Sequence, residues 1–224
     1  MIRVLTKVIA IFWKDMLAEL RTREIIISVL VFSLLVLVIF SFAIDTGTES
    51  AEIAAPGILW VSLTFGGIIG LNRIFAVEKD NSRLEGLMLC PIDRSVIYWG
   101  KLAGSFTFMM AMAIIITPIF LALFNYPIFL PRLVLIIVLA LIGFAAVGTL
   151  FSALAVNTRA RDIMLPVLFL PVVVPVIVSA VKATGPVLAG GDWGNMLTWL
   201  QILIAFDVIY LVVAALVFEY VIEE

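Results

Sequence analysis

Apolar residues fall into six long runs separated by short polar segments. Each run approaches the ~20 residues that a helix needs to cross ~30 Å of hydrocarbon. The runs are Ile25–Ile44, Ala54–Phe75, Leu102–Phe124, Leu133–Val156, Ile163–Val181 and Met196–Phe218. The first is uncharged between Glu24 and Asp45, and Asn125-Tyr126-Pro127 forms the exit turn of the third. Residues 1–23 carry a different pattern. At about 100° per residue, Arg3, Lys7, Lys14 and Arg21 share one narrow face, with Ile2, Leu5, Ile9, Phe12, Met16 and Leu20 nearly opposite. That is an amphipathic helix lying in the membrane interface, its basic side toward headgroups and water. A secretory signal peptide is disfavoured, because the apolar run that follows is too long and has no A-x-A site.

The one substantial polar interruption, Val77–Trp99, lies between the second and third runs. Within it Ser82-Arg83-Leu84-Glu85 fits a capping box, in which a Ser hydroxyl satisfies an orphan amide and the Glu three residues on reaches back. A helix started there carries Leu84, Leu87 and Met88 on one face. Pro91 stops it, lacking an amide proton and clashing with the preceding turn. About two turns of helix are not stable alone in water, so this apolar face needs a surface to dock against. Lipid headgroups and a groove on a separate cytoplasmic subunit both meet that need.

Composition sets the class. Charged residues make up 13% of 224 positions and hydrophobic ones 64%, whereas a soluble domain is about a quarter charged. The chain is therefore an all-α integral membrane protein. It is a single transmembrane domain, with the interfacial helix at 1–23, a six-span bundle at 24–218 and a tail at 219–224. Counting Arg73 near the inner end of span two and Lys101 just before span three, twelve Lys and Arg lie in the N-terminal segment and around the connections after spans two and four, against only Arg132 and Lys182 on the other side. That bias puts both termini and the short helix in the cytoplasm. Trp13, Tyr98, Trp99 and Tyr220 are expected near the inner interface, and Trp60, Tyr126, Trp193 and Trp199 near the outer one.

Three features interrupt the apolar spans. Gly66 and Gly70 have GxxxG spacing, which admits close backbone approach and points to helix packing ahead of a dimer seam. Pro166, Pro171 and Pro175 punctuate the fifth span, and the last two share a face. Each removes a backbone hydrogen bond, so a kinked or partly opened helix is expected, either static or flexing in a transport cycle. Asp207 lies mid-way along the sixth span. A central Asp costs roughly 3 kcal/mol on the insertion scale, while the span's Leu, Ile, Val and Phe return roughly 4 to 8 kcal/mol. The span still inserts, and Asp207 should face protein or a water-filled cavity, protonated or hydrogen-bonded to Ser or Thr. A structural carboxyl is favoured over a substrate or proton site.

The chemistry on offer is sparse. There is no histidine and one cysteine, Cys90, so no disulfide framework, zinc site or Ser-His or Cys-His pair can be assembled from this chain. Gly100-Lys101 is followed by Leu102 and lacks the upstream glycine of a P-loop. The spread of basic residues matches headgroup attraction and carries no nucleic-acid footprint. No enzyme activity is expected. Energy for directed work must come from a partner or an ion gradient.

Ala55-Pro56-Gly57-Ile58-Leu59-Trp60-Val61 and Ser82-Arg83-Leu84-Glu85-Gly86-Leu87-Met88-Leu89-Cys90-Pro91 together resemble the permease B (CcmB) family of the cytochrome c maturation system. Leu170-Pro171-Val172-Val173-Val174-Pro175 adds a weaker match, and length, span count and loop placement agree along the whole chain. The resemblance implies a bacterial inner-membrane permease subunit of an ABC-type complex. In that family two copies pair with two copies of a cytoplasmic ATPase, beside a haem-handling membrane partner and a periplasmic haem chaperone. The helix between spans two and three is the family's link to the ATPase. Mapped here it involves Ser82, Leu84, Glu85, Leu87, Met88 and Pro91, with the three apolar residues as anchors in a helix-in-groove contact. Partner ATP hydrolysis would then drive either haem export or release of the haem-loaded chaperone. Haem is a transported or relayed ligand in this scheme, and without histidine any axial ligand would come from Met, Cys or Tyr. Pro171, Pro175 and Asp207 remain candidates for flexing or intramembrane roles. The other classes left open are an ABC permease for a lipid or drug, an energy-independent scaffold, and a gradient-driven transporter relying on Asp207.

Overall fold

The computed structural model describes residues 2–22, 24–44, 48–80, 93–128, 130–156 and 161–221. Among these residues the chain forms seven helices and no strands: α1 (Ile2–Thr22), α2 (Glu24–Ala43), α3 (Glu49–Asp80), α4 (Arg94–Leu123), α5 (Pro131–Val156), α6 (Arg161–Leu188) and α7 (Gly194–Val221). Helices α2 to α7 are the six long and apolar enough to cross a membrane, as the run lengths predict. They pass up and down, so the ends of α3, α5 and α7 and the starts of α2, α4 and α6 gather at one end, called here the basic end.

Each helix boundary has a local cause. Thr48 caps α3, its Oγ1 accepting from the Ala51 amide at 3.3 Å, and Glu49 and Glu52 follow in the first turn, where the helix dipole favours acids. Helix α4 ends in a Schellman motif. The Tyr126 amide donates to the Leu121 carbonyl (2.8 Å), the Asn125 amide to that of Ala122 (3.4 Å), and Asn125 takes the left-handed conformation at φ 57°. Helix α6 closes in the same way, with the Gly191 amide on the Pro186 carbonyl (2.7 Å), the Gly190 amide on that of Val187 (3.3 Å), and Gly190 at φ 72°.

Two helices outrun their apolar spans. Helix α3 continues to Asp80, which makes it about 48 Å long at 1.5 Å per residue, and α4 begins at Arg94, a full two turns before Leu102. Hydropathy reports only the part that meets hydrocarbon, and neither Ala76–Asp80 nor Arg94–Lys101 contains a proline to stop the helix. The helical run of α6 is unbroken from Arg161 through Pro166, Pro171, Pro175 and Pro186, so the segment from Thr184 to Leu188 belongs to the helix and not to the connection.

Helices α5, α6 and α7 pack on one another, α3 and α4 close the bundle against α5, and α2 lies on the outside against α3. Aromatic rings lock the centre. Trp60 of α3 meets Phe144 of α5 edge-on (6.4 Å between centroids), and Phe144 meets Phe169 of α6 in the same way (5.8 Å). Trp60 and Tyr98 are fully buried and so do not form part of an interfacial belt. The Trp60 indole instead donates to Thr184 Oγ1 at 2.9 Å. Trp13, Trp99 and Trp193 are exposed, as expected of interface residues.

Candidate functional site

At the basic end α3 gives way to α4, and α1 packs beside the start of α4. Residues Ser82, Leu84, Glu85, Leu87, Met88 and Pro91 fall in this connection and lie outside the described residues. What flanks them is defined. Gly100 and Gly104, four apart, leave a shallow stripe on α4. Ile11 sits so close over Gly100 that an added Cβ would stand 2.8 Å from its Cβ and 3.4 Å from the Val8 carbonyl oxygen, and Asp15 lies over Gly104. Beside this stripe Lys101 Nζ meets Asp15 Oδ2 at 2.8 Å, and Lys14 Nζ meets Asp15 Oδ1 at 3.1 Å. The Lys101 side chain is 1% exposed and that of Asp15 13%. Desolvating two charges is costly, and removing either partner of such a pair typically costs about 3–5 kcal/mol, because the other is left buried and uncompensated.

A small core of its own continues from this contact. Ile11, Val96, Ile97, Tyr98, Leu150, Ala153, Ala214 and Phe218 join α1, α4, α5 and α7, with the Tyr98 ring 5.2 Å from Phe218. Helix α1 therefore has three faces. Val8, Ile11 and Asp15 face α4, Ile9, Trp13 and Leu17 are exposed and apolar, and Lys7 is exposed and basic. The exposed faces fit an interfacial helix; the docked face is new.

The other candidates stand apart from this junction and from each other. Pro171 and Pro175 both lie on the exposed side of α6. Asp207, 5% exposed, faces protein, with its Oδ1 over Gly143 of α5. The expected Ser or Thr partner is absent: neither carboxyl oxygen has a hydrogen-bond partner among the described residues. Glycines 66, 67 and 70 pack inside the chain, Gly66 on Ser33 and Val29, Gly67 on Met109 and Gly70 on Phe108. The GxxxG run is thus spent on contacts with α2 and α4. A small apolar void lined by Gly66, Gly67, Met109, Met112, Leu63 and Leu141 has room for no more than about one water molecule, far less than a porphyrin. At the end opposite the basic one, Arg132 Nη1 donates to the Gly191 carbonyl at 2.6 Å and its guanidinium covers Trp193 at 5.0 Å, which fastens the α6–α7 connection to the start of α5.

A family model described as CcmB protein matches residues 6–223. The chain belongs to the CcmB protein family. Curated relatives agree over most of its length. "Heme exporter protein B" of Pseudomonas aeruginosa is 24% identical over 177 residues, covering 79% of each chain. The protein of the same name from Rhodobacter capsulatus is 28% identical over 152 residues, 66% of this chain and 69% of its own. That from Escherichia coli K12 is 30% identical over 94 residues, 40% and 43% of the two chains. In this CcmB-family chain the feature that sequence reasoning missed is the docking of α1. Two signals were available: Gly100 and Gly104 form a second GxxxG, and Asp15 is an acid within a basic helix.

Proposed function

We propose that this chain is the membrane permease subunit of an ABC-type complex in c-type cytochrome biogenesis, in which a partner ATPase drives haem export or release of a haem-loaded chaperone. The observation that carries the reading is the CcmB family match over residues 6–223, with relatives named as haem exporters. The chain sits in a bacterial inner membrane with its basic end and both termini in the cytoplasm, following the Lys and Arg bias. The ATPase grips the 81–92 connection through Leu84, Leu87 and Met88. A second copy of the chain, a haem-handling membrane protein and a periplasmic chaperone complete the assembly.

Of the two outputs, mechanical relay is favoured. Lacking histidine, the chain could ligate haem iron only through Met, Cys or Tyr. Its centre is filled by Trp60, Phe120, Phe144 and Phe169, all fully buried. ATPase closure would displace the 81–92 connection, and α3 and α4, whose helices run without a break through the bundle, would carry the displacement to the far side. Reconstitution decides between the outputs. The permease–ATPase pair in vesicles, supplied with haem and ATP but no chaperone, should leave haem distribution unchanged, and ATP-dependent release should appear when the haem-loaded chaperone is added. Haem accumulation without chaperone would overturn the relay.

A further inference from the structure

We propose that Asp15 and Lys101 are positioning residues that make α1 a moving part of the relay. Through them, displacement of the 81–92 connection is delivered to α1 together with α4. This rests on the ATPase-coupled reading above. Among the described residues helix α1 packs on the bundle mainly through α4, with only a slight contact to α2. Its anchorage is therefore one short stretch of α4, and that stretch opens directly from the connection, since Lys101 lies two turns past Asp93. Whatever shifts the start of α4 carries α1 with it, provided the two helices do not slip.

The contact is built against slipping. The stripe at Gly100 and Gly104 lets the backbones approach closely, but a smooth groove does not by itself fix register. The ion pair does. Lys101 is enclosed, and its ammonium reaches Asp15 Oδ2 at 2.8 Å while Lys14 holds the other oxygen at 3.1 Å. Sliding α1 by one turn, about 5.4 Å, would separate the buried charges. Fixing register is the best-attested role of buried ionic groups. With α1 clamped in this way, its exposed Ile9, Trp13 and Leu17 sweep the lipid interface as α4 moves.

The test compares Asp15→Asn, Lys101→Met and the charge swap Asp15→Lys with Lys101→Asp, each in the complete complex. Retention of the ATPase on the purified unmutated chain is scored first. If none is retained, the function reading fails whatever the variants do. Given retention, Asp15→Asn should keep the ATPase bound and hydrolysing while cytochrome c maturation per ATP falls by about tenfold or more, and the swap should recover most of that loss. Unchanged maturation in Asp15→Asn, or a folded swap no better than the single variants, overturns the proposal. Because single variants can fail to fold, a second measurement uses the native pair. Spin-labelled noncanonical residues at Trp13, Trp99 and Ile128, all exposed, leave Cys90 untouched. The 13–99 distance should stay constant through the nucleotide cycle while both positions shift relative to 128. A changing 13–99 distance, or no shift relative to 128, overturns it.

Discussion

The Oδ1 oxygen of Asp207 on α7 stands 2.6 Å from the point where a Cβ would sit on Gly143 of α5. These two residues set how closely the helices approach, because only glycine leaves room for the carboxyl. Gly143→Ala should therefore destabilise the bundle by about 1–3 kcal/mol, the usual cost of overpacking. Thermal unfolding in detergent reads the loss. Removing the obstructing carboxyl with Asp207→Ala in the same chain should recover part of it, as a positive coupling in a double-mutant cycle. A neutral Gly143→Ala would show that the approach is looser than described.

Asp207→Asn is expected to be mild. Neither carboxyl oxygen is hydrogen-bonded among the described residues, so an amide of the same shape forfeits no partner and should change stability by less than about 1 kcal/mol. Cytochrome c maturation should be retained across the physiological pH range. Loss of function with the fold intact would revive a gradient-driven transporter that needs this carboxyl to titrate.

Trp60 and Thr184 form a second long-range tie, with the indole N–H donating to Thr184 Oγ1 at 2.9 Å and Thr184 Oγ1 donating in turn to the Ala180 carbonyl at 2.7 Å. Thr184→Val keeps the shape and leaves the buried indole N–H unsatisfied, at a cost of about 1–3 kcal/mol. Trp60→Phe in addition should be less than additive, since the orphaned donor is then gone. Unfolding midpoints of the four proteins in the cycle check this.

The spans were legible because hydrocarbon thickness dictates their length and no other force competes with it. Helix ends were less so. Ala76–Asp80 and Arg94–Lys101 mix charged with apolar residues and contain no proline, and hydropathy alone ends α3 and α4 at the hydrocarbon boundary. Trp60 read as an interface residue because its partner, Thr184, is 124 positions away, and no local pattern announces such a pair. The α1–α4 contact was hidden in the same way. Gly100 and Gly104 are spaced for close packing, but their partner Asp15 is 86 positions before Lys101, and no local pattern links the two. Glycines 66 and 70, by contrast, pack as their spacing predicts.

The α6–α7 connection depends on Gly190 in the left-handed region at φ 72°. Any Cβ there pushes against the following carbonyl at about 1–2 kcal/mol. Gly190→Ala should loosen the Schellman closure and the Arg132 contact to Gly191 that depends on it. Hydrogen exchange of the amides from Ala189 to Trp193 should accelerate, with the amides of α5 unaffected.

The decisive variant for the coupling reading is Leu87→Asp. The 81–92 connection joins α3 and α4, and under the proposed coupling its apolar residues Leu84, Leu87 and Met88 are buried in a groove of the ATPase. A carboxylate in such a groove is desolvated without a counter-charge, at several kcal/mol, enough to lower affinity by more than about a hundredfold. ATPase co-purification and cytochrome c maturation should both disappear. The chain itself should still insert and unfold at its usual temperature, because residue 87 falls between the second and third apolar runs and not within a membrane span. Asp192→Asn, an exposed change at the opposite end, serves as the control and should leave both readouts intact. Maturation that survives Leu87→Asp would leave only a scaffold that works without an ATPase.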